Sequence, residues 1–258
     1  MPASAATFAA ADNSRRFGVE IEFKTSHRNG YEVAEAMRQT GLNVEFMGYT
    51  HRRTAAWKLV TDASVAGGFE LVSPPLMFGD WDAIRAAERA LAAVGARVDK
   101  DCGLHVHHDA AGFSPRAIAN VVGSYGLHQD YISSAMPASR RNSRWAKPLK
   151  SLAETFLRGD FSSVNSVRRV LNADRYHAIN LESLPRHGTI EFRQHGGTTK
   201  AIKIIRWVEL TRAIIDRCAV DRKLTFRSDA ASRSERWVRE TAGKEVAAYI
   251  RNRREALA

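Results

Sequence analysis

The chain has 258 residues, 44% of them apolar and 26% charged, a globular balance that excludes a collagen-like or intrinsically disordered protein. Its net charge of +11 favours anionic partners (nucleic acid, another acidic polymer, or nucleotide phosphates) without choosing among them. Two cysteines, Cys102 and Cys218, lie outside any C-x-x-C pair, which excludes a disulfide framework and fits a reducing, cytoplasmic setting; no run approaches the roughly 18 apolar residues of a membrane helix.

Residues 1–14 read as a disordered leader, because the basic pair follows the apolar residues and no strong apolar block is present. In "RRFGVEIEF", Val19, Ile21 and Phe23 alternate with Glu20 and Glu22, which predicts a strand near 16–24 carrying both carboxylates on one face. A short helix near 31–40 and a strand near 43–49 follow. "WKLVTDAS" and "GGFELVSPP" predict two more strands, the second closed by Pro74 and Pro75, which cannot donate to a ladder. Trp81, Ile84, Ala87, Leu91 and Val94 recur at helical spacing between an N-cap at Asp80 and a terminating Gly95. "CGLHVHHDA" predicts a strand, and Ser114-Pro115 opens a helix running to Ser133. "MPASRRNSRWAKPLK" reads as a basic loop, and "RYHAINLES" and "HGTIEFRQHGG" as strands joined through "SLPRHG". A helix from Thr199 to Cys218 and a basic helix from Ser234 complete the order. Strands and helices mixed without regular βαβ alternation favour an α+β fold with a largely antiparallel sheet, and the absence of repeats or a linker favours one domain.

Several strands break their apolar pattern in the same way. Leu104 and Val106 leave His105 and His107 on the opposite face; Ile190 and Phe192 leave Glu191, Arg193 and His195; Phe69 and Leu71 leave Glu70. Neighbouring strands would bring these side chains together with Glu20 and Glu22. Carboxylates with a minority of imidazole suit Mg²⁺ or Mn²⁺, while two histidines and a glutamate also suit zinc with an open position for water. A wet polar sheet face is the competing reading of each strand. Cys102 reads as a small buried residue, His108 as a structural histidine on the core side, and His195 as a site residue or a solvated strand end. Neither a P-loop nor a dinucleotide fingerprint occurs, so any phosphate must be held by basic side chains. Arg140, Arg141, Arg144 and Lys147 offer them in one segment, which reads equally as a solvated basic loop.

The motifs "FGVEIEF", "FELVSPP", "GLHVHH", "RYHAINL" and "GTIEFRQHGGT", in this order from Phe17 to Thr199, resemble the family of putative amidoligases, a branch of the carboxylate–amine ligases related to glutamine synthetase and glutamate–cysteine ligase. The resemblance implies a glutamine-synthetase-like catalytic domain: a curved, mainly antiparallel sheet with helices on its outer face. It would span residues 15–230, with the basic helix of 231–258 packed on it or extending from it. Implied too are ATP and two or more Mg²⁺ (or Mn²⁺) ions, and an amide bond formed through an acyl phosphate. The carboxylate and the amine would belong to a small molecule, a peptide or a protein. By the same resemblance Glu20, Glu22, Glu70, His105 and Glu191 are metal ligands, and Arg193 acts with Glu191 at the transferring phosphate. His107, Arg175 and Asn180 face substrate, with Asn180 reading equally as a strand-end residue that bonds backbone. No N-terminal domain is seen that would complete a site across subunits, so a large ring is not implied. Two alternatives stand beside this: a zinc hydrolase built on the His/Glu cluster, and a binding module for nucleic acid or another acidic polymer using Arg236, Arg239, Lys244, Arg251, Arg253 and Arg254.

Overall fold

The alternation read from the sequence becomes a sheet with two unlike faces. The computed structural model describes residues 14–27, 29–48, 50, 54–62, 65, 67–226 and 229–258; the predicted leader, save its last residue, lies outside them. Strand β1 (Arg16–Lys24) occupies the centre, flanked by β4 (Gly68–Val72) and β6 (Gly103–Asp109), all antiparallel. Beyond β4 come β3 (Trp57–Asp62) and β2 (Val44–Gly48); beyond β6 come β8 (Thr189–Gly196) and the two-residue β7 (Ile179–Asn180), giving the order β2-β3-β4-β1-β6-β8-β7. The short β5 (Leu76–Met77) pairs with the start of β1, and the β2/β3 pair is parallel. The result is a mixed α and β fold with an open, mostly antiparallel sheet.

One face is apolar. Phe17, Val19, Ile21, Phe23, Leu59, Phe69, Leu71, Leu104, Val106, Ile190 and Phe192 are all buried in a single core. That core is completed by α1 (Gly30–Arg38), α2 (Trp81–Ala93), α3 (Pro115–Ser134) and α8 (Ala201–Cys218), which supply Met37, Leu91, Tyr125, Trp207 and Ile214 among others. Full burial of one such side chain is worth about 2 kcal/mol. This face therefore supplies ample stabilisation while the opposite face carries charged groups. Helix α3 starts as its sequence predicts: Ser114 Oγ accepts the N–H of Ala117 at 3.0 Å, with Pro115 in the first turn. Asp80 stands before α2, but its carboxylate accepts the Met77 N–H at 2.8 Å instead of capping the helix.

Several expectations change. The stretch read as a basic loop contains α4 (Ala138–Arg141). Sequence reading assigned nothing to α5 (Ala153–Arg158) and α6 (Val164–Val170), helices too short to display a full apolar stripe. "SLPRHG" forms α7 (Ser183–His187), ended by Gly188 at φ 68°, and only Ile179 and Asn180 of "RYHAINLES" pair as a strand. The last helix, α9 (Ser234–Glu255), is broken at Gly243, whose φ of 84° no ordinary helical residue adopts. It packs on α8 and α3, and Arg236 pairs with Glu240 while Arg251 and Arg254 pair with Glu235. Among the described residues no helix is long and apolar enough to cross a membrane.

Candidate active site

Antiparallel register carries the alternating polar residues into rows on the face away from the helices. In one row Glu20 lies opposite His105 on one side and Val72 on the other, with Lys58 of β3 beyond; in the next, Glu22 pairs with Glu70 and then Val60. A third row links Gly18, His107, Glu191 and Asn180 across β1, β6, β8 and β7. The sequence supplies the side chains, and strand order alone converts their separate alternations into one surface.

The contacts are close. Glu20 bridges both histidines, with Oε2 at 3.1 Å from His105 Nδ1 and Oε1 at 3.1 Å from His107 Nε2. Glu22 Oε1 lies 3.5 Å from His105 Nε2, and its Oε2 accepts the Gly103 N–H at 2.5 Å. Buried Glu191 accepts from the Arg193 guanidinium and from Asn180 Nδ2, and its two oxygens come within 3.6 Å of His105 and 3.9 Å of His107. His107 Nδ1 is held by Thr189 Oγ1 at 3.0 Å, which turns Nε2 toward the carboxylates.

Two sets of atoms could each grip a cation. One comes from Glu20, His107 and Glu191, the other from Glu20, Glu70 and His105, and within each set the atoms lie within 4.8 Å of one another. Glu20 is common to both. Two carboxylates at that separation repel by about 3 kcal/mol at an effective dielectric near 20, so positive charge must be near. Burial opposes ionisation of Glu20, yet His107 and His105 hold its carboxyl well below the usual range. Burial likewise opposes ionisation of Glu191, and Arg193 and His107 overcome it. The reciprocal effect raises the pKa of His107, where Glu20 and Glu191 outweigh its burial.

These groups floor a cavity of about 290 Å³. Arg140 and Arg193, both buried, enter its wall, and exposed Arg175 and Arg186 stand at its rim. Among the described residues, nothing hydrogen-bonds the Nε atoms of Arg140 and Arg193. Trp145 and Tyr176 meet edge to face at 5.1 Å and line the same cavity. A second compartment of about 470 Å³ shares Glu20, Thr50, Glu70, His107 and His187 with the first and runs over Gly18, Val72, Pro75 and Ala111.

The family described as "Putative amidoligase enzyme" matches residues 13–215, most of the chain. The chain belongs to this family. No curated protein matches it. Among solved structures it is similar to a bifunctional glutathione synthetase from Pasteurella multocida, with 14% identity and a TM-score of 0.40 over 94% of this chain and 47% of that one. The amidoligase-family chain thus spans about half the length of that protein.

Of the site residues read from sequence, the structure gathers Glu20, Glu22, Glu70, His105, His107, Glu191, Arg193, Arg140, Arg175 and Asn180 around one cavity of this amidoligase-family chain. It does not bring in the rest of the basic segment. Arg141 donates to Met136 O and Leu257 O, Arg144 lies over the Trp145 ring, and Lys147 pairs with Asp174 at 2.6 Å. Within the short α4, Arg140 and Arg141 part because consecutive helical residues point in different directions. His195 is also displaced: its ring sits 5.3 Å from Trp207 of α8, on the helix side. A β-bulge is the reason, since Leu104 pairs with His195 but Val106 with Phe192, which adds one residue to β8 and reverses the alternation. His108 is on the core side as expected, bonded to Thr211 at 2.7 Å, and burial pushes the Cys102 thiol up to about 11, in keeping with an inert residue.

Sequence reading missed Lys58, which is 8% exposed in the second compartment, and whose pKa burial lowers against the pull of Glu20 and Glu70. The alternation of Trp57, Lys58 and Leu59 held the signal. Trp145, Tyr176, Arg186 and His187 were missed too, and no local pattern marks them.

Gly103 tests the crowding at the floor. A Cβ added there would lie 2.8 Å from Arg140 Nη2, 3.0 Å from His105 Nε2 and 3.3 Å from Glu22 Oε2. Gly103→Ala is expected to leave the unfolding free energy within about 1 kcal/mol of wild type and to weaken Mn²⁺ binding about tenfold by displacing those ends. Water-proton relaxation titrations measure the second effect, and unchanged Mn²⁺ affinity would refute the assignment of this floor to cations.

Proposed function

We propose that the chain is an ATP-dependent carboxylate–amine ligase using Mg²⁺ or Mn²⁺, with a catalytic unit spanning residues 15–230 in the manner of glutamine synthetase and α9 as its buttress. The observation that carries this reading is the stacking of two cation-competent groups, hinged on Glu20, beneath two buried arginines. Each group is two carboxylates to one imidazole, an oxygen-rich set that fits Mg²⁺ or Mn²⁺ better than zinc. Unpartnered, buried Nε–H donors on Arg140 and Arg193 fit phosphate oxygens that enter the cavity. Divalent cations held by Glu20, Glu70, His105, His107 and Glu191 would supply positive charge that offsets the negative charge developing during transfer.

The remaining roles follow from the chain's own groups. Glu191 holds the Arg193 guanidinium from below, which leaves the rest of its fork to the transferring phosphoryl group. Trp145 and Tyr176 offer an apolar wall for a nucleobase, with Arg175 and Arg186 at the polyphosphate entrance. The second compartment suits the acceptor, whose carboxylate would meet the phosphoryl group at the shared boundary of Glu20, Glu70 and His107. A carboxylate oxygen attacks the γ-phosphorus and ADP departs. The amine then attacks the acyl carbon and phosphate departs, so the products are amide, ADP and inorganic phosphate.

Calorimetry tests the reading with metal-free protein titrated by ATP, with and without Mg²⁺. Saturable binding that requires Mg²⁺ and weakens at least about tenfold in Glu20→Gln is the expected result. A folded sample that binds no ATP but carries stoichiometric zinc would replace the ligase with the hydrolase.

A further inference from the structure

Behind the cavity wall, the bulge in β8 is fastened to the helix layer. Two residues, Arg193 and Gln194, lie opposite His105, because Phe192 pairs with Val106 and His195 with Leu104. Arg193 enters the cavity wall. Gln194, 0% exposed, turns into α3, where its Oε1 accepts from the Tyr125 hydroxyl at 2.5 Å and from Gln129 Nε2 at 3.2 Å, and its Nε2 donates to Ser133 Oγ at 2.5 Å. Tyr125, Gln129 and Ser133 are spaced by four and so form one stripe of α3. Gln129 also accepts the Leu149 N–H at 2.6 Å, which ties in the segment leading from Trp145.

The extra residue decides what stands beside Gly103. With the bulge, Gly103 pairs with Gly196. In an unbroken ladder the partner of Gly103 would be His195, its side chain on the cavity face. That space is taken. A Cβ on Gly196 would already come within 3.0 Å of Pro137 and 3.7 Å of Arg140 Cγ, so an imidazole there would evict the Arg140 side chain.

From this we infer that Gln194 is a positioning residue, a register lock that keeps His195 out of the cavity and thereby gives Arg140 its place beside Arg193. A bulge beside a site commonly re-aims a side chain, and here the anchor that fixes it is a single amide satisfied on both its oxygen and its nitrogen. Its effect on ligand binding rests on the proposal that Arg140 holds a nucleotide phosphate; its effect on register does not.

The experiment uses Gln194→Leu, close in size but without hydrogen bonds, and Ser133→Ala, which removes one bond of the anchor and serves if the first variant fails to fold. Two readouts are taken. Diethyl pyrocarbonate labelling, located by mass spectrometry, should leave His195 protected in wild type and modify it in Gln194→Leu, with a smaller increase in Ser133→Ala. Mg²⁺–ATP calorimetry should show at least about a tenfold loss in Gln194→Leu, and no further loss when that change is added to Arg140→Gln. A structural role alone would lower the melting temperature without this non-additivity. Protected His195 in a folded variant overturns the register lock. Exposed His195 with additive loss overturns the link to Arg140. Absence of Mg²⁺–ATP binding in wild type strikes the proposed function and leaves the labelling to decide the lock.

Discussion

Glu191→Ala is expected to abolish nucleotide-dependent turnover and to destabilise the fold at once. The carboxylate is 3% exposed, accepts from both Arg193 and Asn180, and contributes to one of the two cation groups. Its removal strands the buried Arg193 guanidinium, and stripping one partner from a buried pair costs about 3–5 kcal/mol. Loss of charge stabilisation at a transferring group lowers rate by about 10²–10³-fold, and loss of a cation position adds to this. Glu191→Gln separates the two effects. Its amide oxygen still accepts from Arg193, so the stability loss shrinks to about 1–2 kcal/mol, while turnover falls as far as in the alanine variant. Urea denaturation and ADP release measure the pair. Glu191→Gln retaining more than a tenth of wild-type turnover would remove Glu191 from the catalytic account.

Acid should destabilise the protein before its carboxylates titrate. Burial lowers His128 and His195 to a pKa of about 4 each. The unfolded chain protonates a histidine near pH 6.5, so from there down to about pH 4 the unfolded state binds more protons and stability falls. By pH 5 the loss is about 2 kcal/mol for each histidine, and it levels off once the folded side chains also protonate near pH 4. Glu20 and Glu191, held low in the folded state, extend the decline only at more acidic pH. Urea midpoints measured from pH 7 to pH 5 should therefore drop steeply, and less steeply in His195→Gln. A flat profile over that range would show that neither imidazole is kept neutral by the fold.

The cavity face was legible because strands β1, β4 and β6 obey a period of two, so that Glu20, Glu22, Glu70, His105 and His107 declare their side by elimination once their apolar neighbours are assigned to the core. The same rule failed at His195, since a bulge is fixed by partners on α3 some sixty residues earlier and leaves no trace in local periodicity. Among the basic residues, charge identified the segment but not the direction. Arg140 and Arg141 are neighbours in sequence, and a single helical step sends one into the cavity and the other to Leu257. Lys58 was hidden for the opposite reason: its alternation was regular, and a lysine in that pattern reads as solvent-facing until the wall above it is known. The wall residues Trp145, Tyr176 and His187 come from α7 and irregular segments, whose positions depend on tertiary packing.

The layering of an acidic floor under guanidinium walls has a thermodynamic consequence on the proposed reading. A cation settled on Glu20 removes repulsion that an incoming polyphosphate would feel, and a polyphosphate held by Arg140 and Arg193 supplies further oxygens to the cation. Linkage then requires the factor by which either ligand tightens the other to be the same in both directions. Measured alone, each would look weak. Their occupancy would rise together over a narrow concentration range, so the free divalent ion level would set how much of the protein is charged with nucleotide.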